Sequence, residues 1–85
     1  MYYIYLLKSL KKKWFYIGST NKLNLRLKQH NAGKVRSTKA YTPFILIYLE
    51  AYNNKVLARK REIELKKSSQ QKEILYKRLD ITKYE

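Results

Sequence analysis

Two stretches decide the fold: Tyr2-Tyr3-Ile4-Tyr5-Leu6-Leu7-Lys8, and Trp14-Phe15-Tyr16-Ile17-Gly18. Both are dense in aromatic and β-branched residues and read as strands. The run Lys11-Lys12-Lys13 between them is too polar to bury and makes a turn. The spacing predicts an antiparallel hairpin in which Tyr5 pairs with Tyr16, Leu7 with Trp14 and Tyr3 with Gly18. Tyr3, Tyr5, Leu7, Trp14 and Tyr16 then share one face, and Tyr2, Ile4, Leu6, Phe15 and Ile17 the other. Both faces are apolar, so each needs a cover.

The remainder of the chain is expected to supply it. Gly18-Ser19-Thr20-Asn21 reads as a turn ending in helix-capping residues. Lys22 to Ala32 is ambiguous, because Leu23-Asn24-Leu25-Arg26-Leu27-Lys28 alternates like a strand. Its caps and length favour a helix closed by Asn31-Ala32-Gly33, with Leu23, Arg26, Leu27 and His30 on one face. Lys34 to Thr42 is a basic polar loop. After Pro43, Phe44 to Tyr52 is a third strand. Lys55 to Lys67 is a second helix, with Leu57, Ala58, Arg61 and Leu65 inside, Glu62 at the border, and Val56 and Ile63 opposite. That pattern predicts a helix sandwiched on two sides. Ser68 and Gln71 fit a capping box opening a last helix, about 69–79. The expectation is an α+β fold: a small three-stranded antiparallel sheet flanked by three helices, in the order β-β-α-β-α-α.

Composition bounds what such a fold does. The chain has 85 residues, no Cys and one His, which excludes a thiolate zinc site, a disulfide framework and a cysteine nucleophile. One domain, 1–85, is expected at this length. No apolar run approaches a membrane span and no leader is evident, so a cytoplasmic protein without membrane association is the expectation. Twenty Lys and Arg face six Asp and Glu, a formal net charge of +14. The first acid is Glu50; before it stand ten bases, including Lys13, Lys22, Lys28, Lys34, Arg36 and Lys39. An acid-free basic half suits a polyphosphate partner, and the expectation is DNA contacted by those six residues.

Individual residues sharpen this. Arg26 and His30 sit on the apolar face of the first helix, and a cation there needs an anion: Glu50, Glu62 or a bound phosphate. The simpler alternative is that Arg26 snorkels at the edge of the stripe. Tyr5 and Tyr16 side by side, or Glu62 beside a basic residue, would each alone be ordinary packing or an ordinary ion pair.

Taken in order, these pieces resemble the GIY-YIG nuclease family. Tyr3-Ile4-Tyr5 stands eleven residues before Tyr16-Ile17-Gly18, followed by Thr20, Arg26-x-x-x-His30-Asn31-x-Gly33, Thr42-Pro43, Tyr48-x-Glu50 and Ala58-x-x-Arg61-Glu62-x-x-Leu65-Lys66. The likeness covers about 2–67 and is greatest to the small single-domain bacterial branch, the UPF0213-like proteins. It implies a metal-dependent endonuclease hydrolysing phosphodiester bonds. Tyr5 and Tyr16 would position or deprotonate the attacking water, Arg26 would neutralise the phosphate, His30 would support the tyrosines or assist proton transfer, and Glu62 would hold one Mg²⁺ or Mn²⁺. An adjacent Arg and a metal ion are expected to lower the pKa of a tyrosine acting as base. Tyr3 replaces the glycine of the family's first motif, and the chain has no Asn beyond Asn54, where larger members carry one after the metal glutamate. Three readings stand: an endonuclease, with selectivity for DNA structure in repair or recombination as one form of it; a catalytically inactive nucleic-acid-binding module of the same fold; and a basic protein-interaction domain, which explains the charge only by accident.

Overall fold

The computed structural model describes residues 1–81. Strand β1 (Tyr2–Ser9) is the centre of a three-stranded sheet, with β2 (Phe15–Thr20) and β3 (Phe44–Tyr52) antiparallel on either side of it. Helices α1 (Leu23–Asn31), α2 (Lys55–Lys67) and α3 (Ser69–Arg78) complete the expected order. Alternation along β1 builds two cores. Ile4, Leu6 and Ile17 pack with Ala58 and Leu65 of α2 and Leu75 of α3. Tyr5, Leu7 and Phe44 form the other core, flanked by Trp14, Tyr16, Leu23, Leu27 and Tyr41. Both faces are therefore covered.

The helix ends follow local chemistry. Asn54 Oδ1 accepts from the backbone N–H groups of Val56 (2.7 Å) and Leu57 (3.2 Å), and Ser68 Oγ accepts from Gln71 N at 3.3 Å. α1 closes at Gly33, whose φ of +72° is the left-handed conformation glycine adopts without a Cβ clash. The paired bonds Gly33 N to His30 O and Lys34 N to Gln29 O satisfy carbonyls at the helix end.

Several expectations are corrected. The hairpin register is shifted by two: Tyr5 lies opposite Gly18, Leu7 opposite Tyr16 and Tyr3 opposite Thr20. Ser9 turns inward at the end of β1. Its Oγ accepts from the N–H groups of Lys11 and Lys12, both at 3.1 Å, and donates to Tyr41 O at 2.6 Å. Trp14 now lies opposite Ser9, whose N–H donates to its carbonyl at 3.0 Å, and its ring stacks on Tyr41, centroids 3.9 Å apart. A slip of two leaves every side chain on its predicted face, because the strand period is two. β2 also runs on to Thr20, and α1 starts without a side-chain cap.

The second correction concerns α2. Its buried line is Ala58, Glu62 and Leu65, while Leu57, Val56 and Ile63 are exposed. At 100° per residue Leu57 lies a quarter-turn from that line, and the side bearing Val56 and Ile63 faces water rather than a second layer. Third, the loop after α1 is not wholly polar surface: Val35 and Thr38 are buried, and a 3₁₀ turn covers Lys39–Tyr41.

The register gives Gly18 a specific duty. A Cβ there would lie 2.4 Å from Tyr5 Oη, 2.5 Å from Tyr5 Cζ and 2.9 Å from Tyr16 Cε2. Tyr5 is fully buried and has nowhere to retreat. Gly18→Ala is expected to cost about 1–3 kcal/mol of stability, measured by urea unfolding; an unchanged midpoint would show that the tyrosine does not need that gap.

Candidate functional site

Tyr5 projects from the central strand into the core beneath α1, where its hydroxyl meets His30 Nε2 at 2.8 Å. His30 Nδ1 lies 2.8 Å from Thr38 Oγ1, and that hydroxyl donates onward to Val35 O at 3.4 Å. The Thr38 proton is thus committed, so His30 Nδ1–H donates to Thr38 and Nε2 accepts from Tyr5. Burial, reinforced by the Arg26 charge, lowers the His30 pKa to about 4, so the ring is neutral at pH 7. Burial also pushes Tyr5 up to about 12, against the pull of a hydrogen bond from Arg26. Desolvating the phenolate outweighs one adjacent guanidinium, and Tyr16 and Glu62 push the same way.

Tyr16 lies diagonally across the hairpin from Tyr5, with ring centroids 6.3 Å apart, and 5.2 Å from the His30 ring. It is half-buried, and among the described residues its hydroxyl has no hydrogen-bond partner. Tyr16 is thus the phenol that water can reach. Arg26, half-buried on α1, bonds Gln29 Oε1 at 3.2 Å and approaches the Tyr5 hydroxyl.

Neither expected carboxylate partners Arg26. Glu50 accepts from Tyr48 and Tyr52, each at 2.6 Å, and from Arg61 through both oxygens at 3.0–3.2 Å. Arg61 also donates to Glu64. Burial opposes ionisation of Glu50, but Arg61 and the two phenols hold its pKa below the ordinary carboxylate range. That cluster serves the α2 side of the sheet. Arg26 thus meets Gln29 and Tyr5 rather than either carboxylate.

Glu62 belongs to α2, which packs on the opposite face of the sheet from Tyr5 and Tyr16. Its carboxylate nevertheless reaches the outer edge. β2 is an edge strand, and Ser19 Oγ there donates to Glu62 Oε1 at 2.7 Å. Arg59 donates to the same oxygen at 3.1 Å, and Lys66 Nζ lies 3.0 Å from Oε2. The Lys66 ammonium also stands 5.3 Å from the centre of the Tyr16 ring, linking the carboxylate to the phenol around the strand edge. Burial opposes ionisation of Glu62 too, yet Ser19 and Lys66 lower its pKa. Glu62 is the carboxylate here that could hold a hard cation: among the described residues its Oε2 carries one partner, Lys66, and Mg²⁺ needs only one or two carboxylates when it keeps its waters. Among the described residues no cluster of three or more His, Asp or Glu offers a fuller cage.

A cleft of about 460 Å³ opens beside this edge, between α1 and α2. Lys22 and Arg26 line one wall, Lys55 and Arg59 the other, with Ser19 between them and no acid in the lining. Of the six basic residues expected to contact nucleic acid, only Lys22 lies here. Lys13, Lys28, Lys34, Arg36 and Lys39 lie elsewhere on the chain. Sequence reasoning missed Ser19, Thr38, Lys55, Arg59 and Lys66. Lys55 and Arg59 hid in a half whose charges nearly balance. Lys66 had a signal, since it stands four residues after Glu62 on one helix.

An α+β fold with paired phenols, a buried His and an Arg along a cationic cleft has the makings of a phosphate-handling site. Comparison with known proteins gives the family. The model of the GIY-YIG catalytic domain matches residues 1–77, and the chain belongs to the GIY-YIG family, a nuclease family. UPF0213 protein SH2523 of Staphylococcus haemolyticus is 36% identical over 74 residues, covering 86% of this chain and 89% of the relative. UPF0213 protein YazA of Bacillus subtilis is 37% identical over 76 residues, covering 88% and 76%. The solution NMR structure of UPF0213 protein BH0048 from Bacillus halodurans superposes with a TM-score of 0.56 at 32% identity, covering 91% of this chain and 84% of that one. Among the described residues no helix is long and apolar enough to cross a membrane.

The buried neutral His30 has a consequence for stability. Its folded pKa lies below its unfolded one, so between about pH 4 and 6.5 the unfolded chain binds more protons. Its contribution is fully present above pH 6.5 and is lost as pH falls toward 4. From pH 7 to pH 5 the loss should be about 2 kcal/mol. Urea unfolding at the two pH values should show this drop in the natural chain and a much smaller one in His30→Gln; equal drops would assign it to other groups.

Proposed function

We propose that the protein is a metal-dependent endonuclease that hydrolyses phosphodiester bonds in DNA, with the reaction centred where β2 meets α1 and α2. The observation that carries this reading is the meeting of opposite requirements at one edge. Arg26, which takes no partner from Glu50 or Glu62, lies against the Tyr5–His30 pair on one side of β2. Glu62, tied to Ser19, stands on the other side and is linked to the Tyr16 ring through Lys66. A pure phosphate-binding surface gains nothing from a carboxylate there, since like charges repel.

Each side chain then has a distinct duty. Arg26 offers a planar fork of donors to the scissile phosphate and counters charge that grows in the transition state. Tyr5 stays protonated, donates its hydrogen bond to His30 and offers its oxygen lone pairs to Arg26, which fixes the guanidinium rather than activating water. His30 is a positioning residue, held in one tautomer by Thr38. Tyr16, with its hydroxyl unpartnered among the described residues, is the group that orients the attacking water. A divalent ion, Mg²⁺ or Mn²⁺, would be held by Glu62 and would supply Lewis-acid stabilisation of the phosphate. Lys22, Lys55 and Arg59 extend the positive cleft toward flanking phosphates. A preference for branched or flapped DNA accords with a small concave site and the absence of Asn after Asn54, which leaves substrate positioning to the cleft.

Nicking of supercoiled plasmid with Mg²⁺ or Mn²⁺ tests this. Glu62→Ala should abolish cleavage while DNA binding persists, and Arg26→Ala should slow it on the order of 10²–10³-fold. Binding without cleavage by the natural chain on plasmid, flap and four-way substrates would instead make it an inactive nucleic-acid-binding module. DNA affinity should fall with salt at a slope corresponding to about 4–6 phosphate contacts, and the double variant Lys55→Ala/Arg59→Ala should shallow that slope by roughly two contacts. A slope unchanged by the pair would remove α2 from the interface.

A further inference from the structure

Glu62 is already neutralised by the chain itself. Ser19 and Arg59 both use Oε1, and Arg59 is largely exposed, its side chain 68% accessible. Oε2 is different: among the described residues its one partner is the Lys66 ammonium at 3.0 Å, a single side chain that an incoming cation would have to replace. The same ammonium lies 5.3 Å from the centre of the Tyr16 ring, a cation–π distance. Two weak anchors, a carboxylate and an aromatic face, thus hold Lys66 where α2 meets the edge of β2. Its side chain is 43% exposed, so water can take over either anchor at small cost.

We infer that Lys66 is a resident counter-ion at Glu62, which a divalent cation must displace before it can bind. The inference rests on the reading of Glu62 as the metal ligand. Lys66 occupies Oε2 and holds the carboxylate in its present orientation when no divalent ion is present. An ammonium and a divalent ion cannot both sit against Oε2 without strong mutual repulsion. On displacement the flexible stem lets Nζ swing across the Tyr16 face, toward the phosphate seat beside Arg26. Metal entry and substrate binding are thereby coupled through one side chain: a cation at Glu62 releases a positive charge to the substrate.

Mn²⁺ titration followed by electron paramagnetic resonance tests this without reference to turnover, on the full chain and its variants. Lys66→Met keeps the stem and removes the competitor, so its Mn²⁺ affinity should rise at least about fivefold. Lys66→Arg keeps the charge and should bind as the natural chain does. An affinity in Lys66→Met equal to or below that of the natural chain, with Glu62→Gln abolishing binding, would overturn the inference while leaving the Glu62 assignment standing. Mn²⁺ binding unaltered in Glu62→Gln would overturn both. Thermal unfolding checks that each variant is folded; if Lys66→Met is not, Lys66→Gln makes the same test.

Discussion

The Tyr5 side chain lies across a gap that exists only because Gly18 has no Cβ, and its hydroxyl closes on His30 at 2.8 Å. That contact ties the central strand to the first helix. Through Thr38 it also ties down the loop after that helix. Asn31, one residue on, accepts from Phe44 N at 2.6 Å and donates to Phe44 O at 3.3 Å, joining the helix end to the start of β3. With few polar bonds, the second core acquires a single arrangement. Removing any member would strand a buried donor or acceptor, which costs more than the bond itself contributes.

Arg26 acquires its role from this arrangement. It stands on a helix whose apolar face it cannot leave, against a phenol that stays neutral because burial outweighs its own pull. The acids that could quench it are engaged: Glu50 by Arg61 and two tyrosines, Glu62 by Ser19, Arg59 and Lys66. In a chain of net charge +14, acids are scarce, and committing Glu50 and Glu62 to the second helix leaves the α1 wall of the cleft without a carboxylate. The positive cleft is thus a product of where Glu50 and Glu62 are committed as much as of the many bases.

Much of this was legible beforehand because it is local. The alternation of Tyr3, Tyr5 and Leu7 against Ile4 and Leu6 survived a two-residue error in register, since a slip of two cannot turn a strand over. Asn54, Ser68 and Gly33 marked helix ends through bonds made within a few residues. Leu57 misled because an apolar residue beside a buried line is as common on a helix flank as within it. Lys55 and Arg59 were unreadable as cleft residues, since their charges are balanced nearby in sequence and unbalanced in space.

What the order of residues determined by itself was the element sequence, the two-sided sheet, and the set of phenol, imidazole, guanidinium and carboxylate groups that match the family. Periodicity and capping act over one or two turns and need no partner. The tertiary structure alone decided that Tyr5 faces Gly18 rather than Tyr16, that burial raises the pKa of Tyr5, and that Glu62 bonds Ser19 on the edge strand. Those outcomes depend on burial and on contacts as many as 43 residues apart, for which no local pattern exists.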